Sequence, residues 1–204
     1  MNTLVRPCVR SPFTYLRHEW RQGQWSALTL TTVYLPTYNA LGAQNMIRRE
    51  RLTANLSGEF VVFLIGMRIN NPLKVHKWLP VATAMPRMVK ELSQQPELGF
   101  IHSEMWFSRT IILVQYWRSM EQLLAYAKNK NSEHLPAWQA FNKSIGTDGS
   151  VGIWHETYAA SPGSYENVYV NMPPFGLGKA GTLQPASAGK QSAAGRLSAN
   201  KNSI

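Results

Sequence analysis

Two histidines are the residues in this chain best suited to chemistry. His134 begins a short segment that also carries Trp138, and His155 stands inside a run of aliphatic and aromatic residues. An imidazole can take up or release a proton near neutral pH, and its neutral nitrogen can bind iron. We therefore predict that His155 or His134 transfers a proton. The competing interpretations are a helix start for His134 and a hydrogen-bonded core position for His155.

Aromatic side chains are frequent in the same stretch of sequence and could line a binding cavity. Large aromatic rings bury much apolar surface and suit a flat or terpenoid-like ligand, although aromatics at strand spacing are also typical of a plain core. The candidate substrate-binding residues are Trp106, Tyr116, Trp117, Trp138 and Trp154.

Two arginines complete the set of candidate site residues. Arg109 occupies the tip of an expected hairpin, where it is either solvated or able to clamp a carboxylate. Arg68 lies inside an otherwise apolar strand, so its charge requires a partner such as Glu104 or Glu156. Both arginines are candidate substrate-binding residues, with a structural ion pair as the alternative for Arg68.

No cofactor or metal motif accompanies these residues. The sequence lacks a dinucleotide-binding glycine loop, a phosphate loop, a zincin helix and a nucleophile elbow. The single cysteine, Cys8, excludes an intrachain disulfide and a thiolate zinc site and fits a reducing compartment. We predict no metal and no cofactor, with haem bound through His134 or His155 as the alternative.

The elements that must position these residues run from Phe60 to Tyr158 in the order strand, helix, strand, strand, helix, strand. The first, 60–69, is a nearly unbroken apolar run typical of a buried strand. Apolar residues at helical spacing follow, and Pro80 and Pro86 predict a kink or break there. This order predicts an α+β, ferredoxin-like βαββαβ domain.

The later elements show clear start signals and alternation. Ser119 and Gln122 match a capping box, which predicts the start of the second helix. In the last strand, His155 shares a face with aliphatic residues, and Trp154 shares the other face with Tyr158. A sheet with helices on one side leaves its other side bare, so we predict a homodimer, with a cavity between sheet and helices or at the dimer seam.

Charge divides the chain into three parts. Residues 1–57 hold seven arginines against two acidic residues, 58–172 hold ten basic and nine acidic residues, and 173–204 hold four basic residues and no acidic one. We predict a basic, irregular N-terminal extension, a nearly neutral ferredoxin-like domain and a flexible basic tail with those bounds. Because the excess charge lies on the ends, the pattern argues against a nucleic-acid partner.

The N-terminal extension also bears on location. Its arginine, serine and threonine content is similar to that of an organellar transit peptide, and its uncharged run is too polar for a membrane span. We expect a cytoplasmic protein without stable membrane insertion, and organellar targeting by the extension is the alternative.

Several segments resemble the dimeric α/β-barrel proteins of the antibiotic-biosynthesis-monooxygenase type. More narrowly, they resemble the family named for the monooxygenase of fumagillin biosynthesis, whose members are also labelled phenylacetaldoxime-dehydratase-like. The resemblance implies a dimeric α/β barrel and an oxidative role, without a motif that transfers residue by residue. The segments that carry it are FVVFLIGMRINNPLKVHKW (60–78), 96–119, HLPAWQAFN (134–142), GIWHETY (152–158) and YENVYVNMPPFGLGKAG (165–181).

Three hypotheses for function follow from this resemblance. The leading one is a small monooxygenase that acts on a hydrophobic secondary metabolite in an aromatic-lined cavity. The second is a haem-binding enzyme of the aldoxime-dehydratase kind. The third is a non-catalytic binding dimer, since a fold alone does not fix function.

Overall fold

A four-stranded antiparallel sheet with two helices forms the centre of the protein. The computed structural model describes residues 46–129, 139, 142 and 148–201. In chain order the elements are β1 (Arg48–Asn55), β2 (Phe60–Ile69), α1 (Val75–Gln94), a 3-10 turn (Pro96–Leu98), β3 (Phe100–Trp106), β4 (Thr110–Trp117), α2 (Met120–Lys128), β5 (Val151–Ala160), β6 (Tyr169–Met172), α3 (Leu177–Ala180), β7 (Thr182–Pro185) and α4 (Ala193–Lys201).

The central sheet has the strand order β3-β4-β2-β5, and all neighbours are antiparallel. Helix α1 connects β2 to β3, and the segment that contains α2 connects β4 to β5. This connectivity is that of the split βαβ, ferredoxin-like arrangement. The predicted α+β fold is confirmed.

The local sequence signals for the two central helices had different outcomes. The Ser119 hydroxyl accepts a hydrogen bond from the N–H of Gln122 at 3.2 Å, as the capping box predicts. Of the kink or break expected at Pro80 and Pro86, the break does not occur, because α1 runs without interruption through both prolines. Both prolines lie on the exposed side of the helix, where water can solvate the carbonyls that lose their amide partner.

Strand register assigns each side chain to one of two faces, because directly paired residues share a face. Val61, Phe63, Ile65 and Met67 face the helices. There they join two hydrophobic clusters, one around the fully buried Trp117 and one around Met67. The alternation predicted for β5 is confirmed, since His155 pairs with Ile65 and Trp154 pairs with Gly66.

Residues 169–201, the C-terminal segment, fold back onto the face of the central sheet that carries no helices. Strand β1 lies between β6 and β7 in a second, three-stranded antiparallel sheet. Its Ala54 packs with Phe60, Ala160 and Leu177 in a third hydrophobic cluster. This chain segment therefore covers part of the face for which the sequence analysis required a second copy.

Two domain boundaries are corrected by this arrangement. The prediction of a flexible tail over 173–204 is wrong for the described residues, since β7 pairs with β1 over Leu52–Asn55 and α4 follows it. The extension predicted for 1–57 is too long, because β1 belongs to the fold. The remainder of that extension, 1–45, lies outside the described residues.

Two consecutive amides attach the C-terminal segment to the central sheet, and the next amide donates within that segment. The N–H of Gly176 donates to Oε1 of Glu104 at 3.3 Å, and the N–H of Leu177 donates to the Tyr116 hydroxyl. The N–H of Gly178 donates to the Tyr169 hydroxyl at 3.0 Å. Burial raises the pKa of Tyr116 and raises that of Tyr169 to about 12, so both phenols remain neutral at physiological pH.

Glu104 is the charged member of this attachment. Burial alone would raise the pKa of its carboxyl, but hydrogen bonds from His102, Lys179 and the Gly176 amide, together with the Lys179 charge, hold the pKa below the ordinary 4.5. The His102 Nε2 and Lys179 Nζ atoms each lie 3.0 Å from Oε1. A carboxyl whose pKa is lowered by folding stabilises the protein above its unfolded pKa, and that contribution is lost as the pH falls through the folded pKa.

Replacing Glu104 with glutamine should therefore weaken the attachment. We expect a loss of about 1–3 kcal/mol in the free energy of unfolding at pH 7, since hydrogen bonds to a charged group are lost. The variant should also lose less stability than the wild type between pH 7 and about pH 3, a range that extends below the ordinary pKa of 4.5. Urea unfolding at both pH values measures this, with the exposed Glu59→Gln as the control. Equal pH dependence in wild type and Glu104→Gln would contradict the assignment.

Candidate functional site

A cavity of about 210 Å³ lies between the central sheet and the two helices. Its walls come from β2, β4 and β5 on one side and from α1 and α2 on the other, and they are mostly apolar. Ligand sites are commonly concave, mostly apolar and equipped with a few polar groups. The described lining residues are Phe63, Ile65, Met88, Leu92, Gln115, Met120, Leu123, Leu124, Tyr126, Ala127, Ile153, His155 and Thr157.

His155 is the residue of this lining best suited to proton transfer. It lines the cavity from β5, which is an edge strand of the sheet, and its side chain is exposed to solvent. Its ring centroid lies 5.8 Å from that of Phe63, at an interplanar angle of 47°. A histidine at the boundary between an apolar cavity and water can exchange its proton with solvent while it contacts a bound molecule.

Gln115 is a cavity residue that the sequence analysis missed. It lies on the helix-facing side of β4 and is only 5% exposed. Its Oε1 accepts a hydrogen bond from the indole N–H of Trp117 at 2.8 Å. The available signal was a polar residue at an inward position of an alternating strand, where Ile111, Leu113 and Trp117 mark the buried side.

The four described aromatic residues that were predicted to bind substrate do not lie together in this cavity. Trp117 is fully buried and packs in the core beside Phe100 and Tyr126. Register places the other three on the opposite face of the sheet: Trp106, Tyr116 and Trp154. Alternation along β4 and β5 sends neighbouring residues to opposite faces, so these aromatics do not line one cavity between sheet and helices. Their role in substrate binding stays a prediction.

Each aromatic on the far face has a structural contact. Trp106 meets Phe175 edge to face, with ring centroids 5.7 Å apart. Tyr116 accepts the amide of Leu177. Trp154 lies against Gly66, where an added Cβ would clash with the indole and with the carbonyl oxygen of Ile111. Glycine at this position allows the ring to cross the strand closely.

The two candidate arginines also lie away from the cavity. Arg68 is exposed and donates from Nη1 to the Thr110 hydroxyl at 2.8 Å. Its expected ion pair with Glu104 or Glu156 is not formed among the described residues. Arg109 is exposed and donates to the carbonyl oxygens of Ile69 and Asn70, which closes the end of the sheet.

Two predicted site residues cannot be placed. His134 and Trp138 lie outside the described residues, between α2 and β5. Their predicted roles therefore remain predictions. Within the described ranges, no group of three or more His, Cys, Asp or Glu side chains could hold a metal ion. None of the described helices combines the length and the hydropathy needed to cross a bilayer.

The strand order defines a ferredoxin-like α+β protein, and the cavity between sheet and helices is a candidate ligand site. The chain belongs to the Monooxygenase af470-like family, whose model matches residues 60–177, more than half of its length. The family resemblance inferred from the sequence is thereby confirmed.

A curated relative and two solved structures are similar to this chain. Monooxygenase af470 of Aspergillus fumigatus is 26% identical over 172 residues, which cover 74% of this chain and 60% of the relative. The chain thus spans about three-fifths of the length of that protein. Aldoxime dehydratase OxdRE, solved with butyraldoxime, aligns with a TM-score of 0.50 and 14% identity over 61% of this chain and 38% of its own. That likeness shows the fold alone.

A weaker likeness relates the chain to SnoaB, a cofactor-independent oxygenase from Streptomyces nogalater. The alignment has a TM-score of 0.37 and 14% identity, and it covers 51% of this chain and 94% of SnoaB.

Proposed function

We propose that this protein is a small monooxygenase that acts on a hydrophobic secondary metabolite bound between the sheet and the helices. Membership of the Monooxygenase af470-like family supports the reaction class. The observation that carries the proposal is the largely apolar cavity with His155 at its solvent boundary. In such a reaction one atom of dioxygen enters the product and the other leaves as water, which requires two electrons and two protons. Without a cofactor the substrate itself supplies them, as when a CH₂ group and O₂ give C=O and H₂O, so protons must be removed from the substrate and passed to oxygen.

His155 is the residue that we assign to proton movement. Its imidazole contacts the cavity and also reaches solvent, so it can take a proton from a bound molecule and pass it to water. The apolar walls, including Phe63 and Leu92, orient the substrate and exclude water from it. Holding the reacting groups in a fixed geometry accounts for much of the acceleration that a small enzyme can provide.

The cavity favours a reaction without haem over the haem-dependent alternative. His155 could supply an axial nitrogen, but the described lining offers no arginine or lysine for the propionates. A Soret band after reconstitution of the purified protein with haem, lost in His155→Ala, would overturn this part of the proposal.

A homodimer is part of the same proposal. Strand β5 has no strand partner on its outer edge among the described residues, and its residues 155–159 are exposed. Tyr158 is 53% exposed beside it, on the face that the C-terminal segment leaves partly open. An open strand edge with exposed aromatic surface favours pairing with a second copy. Sedimentation equilibrium distinguishes one chain from two, and a monomer at micromolar concentration would contradict this step.

Incorporation of labelled oxygen tests the reaction class. The purified protein is incubated under ¹⁸O₂ with a panel of phenolic and terpenoid compounds, and products are analysed by mass spectrometry. We expect one ¹⁸O atom in the product and no product without oxygen. Turnover that proceeds equally well without oxygen would exclude a monooxygenase. Binding without any turnover across the panel would favour the non-catalytic dimer.

A further inference from the structure

Gln115 combines burial with an incomplete set of hydrogen bonds. Its side chain lies inside the fold at 5% exposure and forms part of the cavity wall. A buried primary amide carries two N–H donors and one oxygen acceptor, and leaving such donors unpaired costs free energy. A polar group of this kind within a mostly apolar wall therefore calls for a physical explanation.

Trp117 fixes the orientation of this amide. The indole N–H can only donate, so the Gln115 atom that it approaches at 2.8 Å must be the oxygen. The amide NH₂ group then points away from Trp117. Gln115 contributes to the described cavity wall whereas Trp117 does not, and from this we infer that the NH₂ end faces the cavity. It has no hydrogen-bond partner among the described residues.

Strand register defines what lies next to this donor. Phe63 pairs with Gln115 on one side and with Thr157 on the other, and His155 occupies the next inward position of β5. Neighbouring strands are about 4.8 Å apart, so Gln115 and β5 are separated by about 10 Å across the Phe63 ring. The cavity thus has a hydrogen-bond donor at one end, an aromatic floor and an imidazole at the other end.

We propose that Gln115 binds an acceptor oxygen of the substrate, and that the substrate is an otherwise apolar molecule carrying a carbonyl group. This inference rests on the proposed function in so far as the cavity is the substrate site. The carbonyl oxygen accepts from the Gln115 NH₂ group, and the body of the molecule lies over Phe63 towards His155. Trp117 acts as a positioning residue, because its N–H holds the amide in the orientation that presents the donor.

Two ligands of matched shape test the donor. Acetophenone carries a C=O group where α-methylstyrene carries C=CH₂, and the two molecules otherwise have the same shape. The dissociation constant of each ligand is measured with wild type and with Gln115→Met. The ratio of the two constants in each protein cancels the different hydration of the ligands. In Gln115→Met, we expect the dissociation constant of acetophenone to rise about tenfold relative to that of α-methylstyrene, because one buried hydrogen bond is lost. The exposed Gln94→Met is the control and should leave the ratio unchanged.

A measurement on the wild type keeps the test decisive if Gln115→Met does not fold. In ¹H–¹⁵N spectra, acetophenone should move the side-chain NH₂ resonances of Gln115 and α-methylstyrene should not. Binding of both ligands with an unchanged ratio and unmoved NH₂ resonances would overturn the role of Gln115 but leave the cavity as the site. If neither ligand perturbs the resonances of Phe63 or Leu92, the cavity binds no such molecule, and both this inference and the proposed site are wrong.

Discussion

Replacement of His155 by alanine is expected to lower kcat by about 10²- to 10⁴-fold, the usual contribution of a positioned general acid or base. KM should change much less, because the imidazole is one residue at the edge of a wall formed mainly by apolar side chains. Steady-state kinetics with a compound that shows ¹⁸O incorporation measures both constants. An effect of this size requires that the imidazole moves a proton in the rate-limiting transition state.

Two further variants distinguish proton transfer from simple contact. His155→Gln preserves size and hydrogen bonding but cannot relay a proton, so it should be as impaired as His155→Ala. His76→Ala removes an exposed histidine of α1 away from the cavity and should retain wild-type kcat. Recovery of most of the activity in His155→Gln would show that the ring only contacts the substrate, and the assignment of His155 as the proton carrier would be withdrawn.

The central sheet could be predicted because its signals are local. Phe60–Ile69 is apolar throughout, the Ser119 cap lies beside its partner Gln122, and β5 alternates with a period of two. Each of these patterns survives in the structure, because tertiary packing reinforces the local preference instead of opposing it. The strand order then follows from the few topologies that this sequence of elements allows.

The C-terminal segment could not be predicted in the same way. Residues 181–201 are rich in glycine, alanine, serine and lysine and show no apolar period. This stretch is held by main-chain pairing of β7 with β1, and the residues just before it are held by the Gly176 and Leu177 amides, which donate to Glu104 and Tyr116. These contacts depend on backbone groups, which every sequence carries, and on residues far away along the chain.

For the candidate site, the sequence analysis did not separate residues by the face of the strand on which they lie. Alternation already implied that Tyr116 and Trp117 point to opposite faces, and that Trp154 and His155 do as well. Placing all the aromatics in a single cavity ignored that constraint. Gln115 was passed over because an inward amide is informative only once its partner, Trp117, is known. Residue type identifies candidate site residues, but the face of the strand on which each residue lies determines which of them can line the same cavity.

The largest effect on stability is expected from Trp117→Ala. Trp117 is fully buried, its ring contacts Phe100 and Tyr126 at centroid distances of 5.7 Å, and it packs with Leu92 and Val61. Truncating a buried tryptophan typically costs about 3–5 kcal/mol, through lost transfer free energy and the cavity that remains. The variant also removes the partner of the Gln115 oxygen, which adds to the loss.

Trp106→Ala is the matched control, since Trp106 is 42% exposed and meets only one described aromatic ring, that of Phe175. It should cost clearly less than Trp117→Ala, because 42% of its surface stays in contact with water in the folded state. Urea unfolding gives the midpoint and slope for each variant, and an unchanged slope assigns the difference to native stability. Similar losses in the two variants would mean that burial on the helix-facing side does not dominate folding. In that case the C-terminal segment, which packs over Trp106 on the opposite face, would have to contribute as much stability as the core around Trp117.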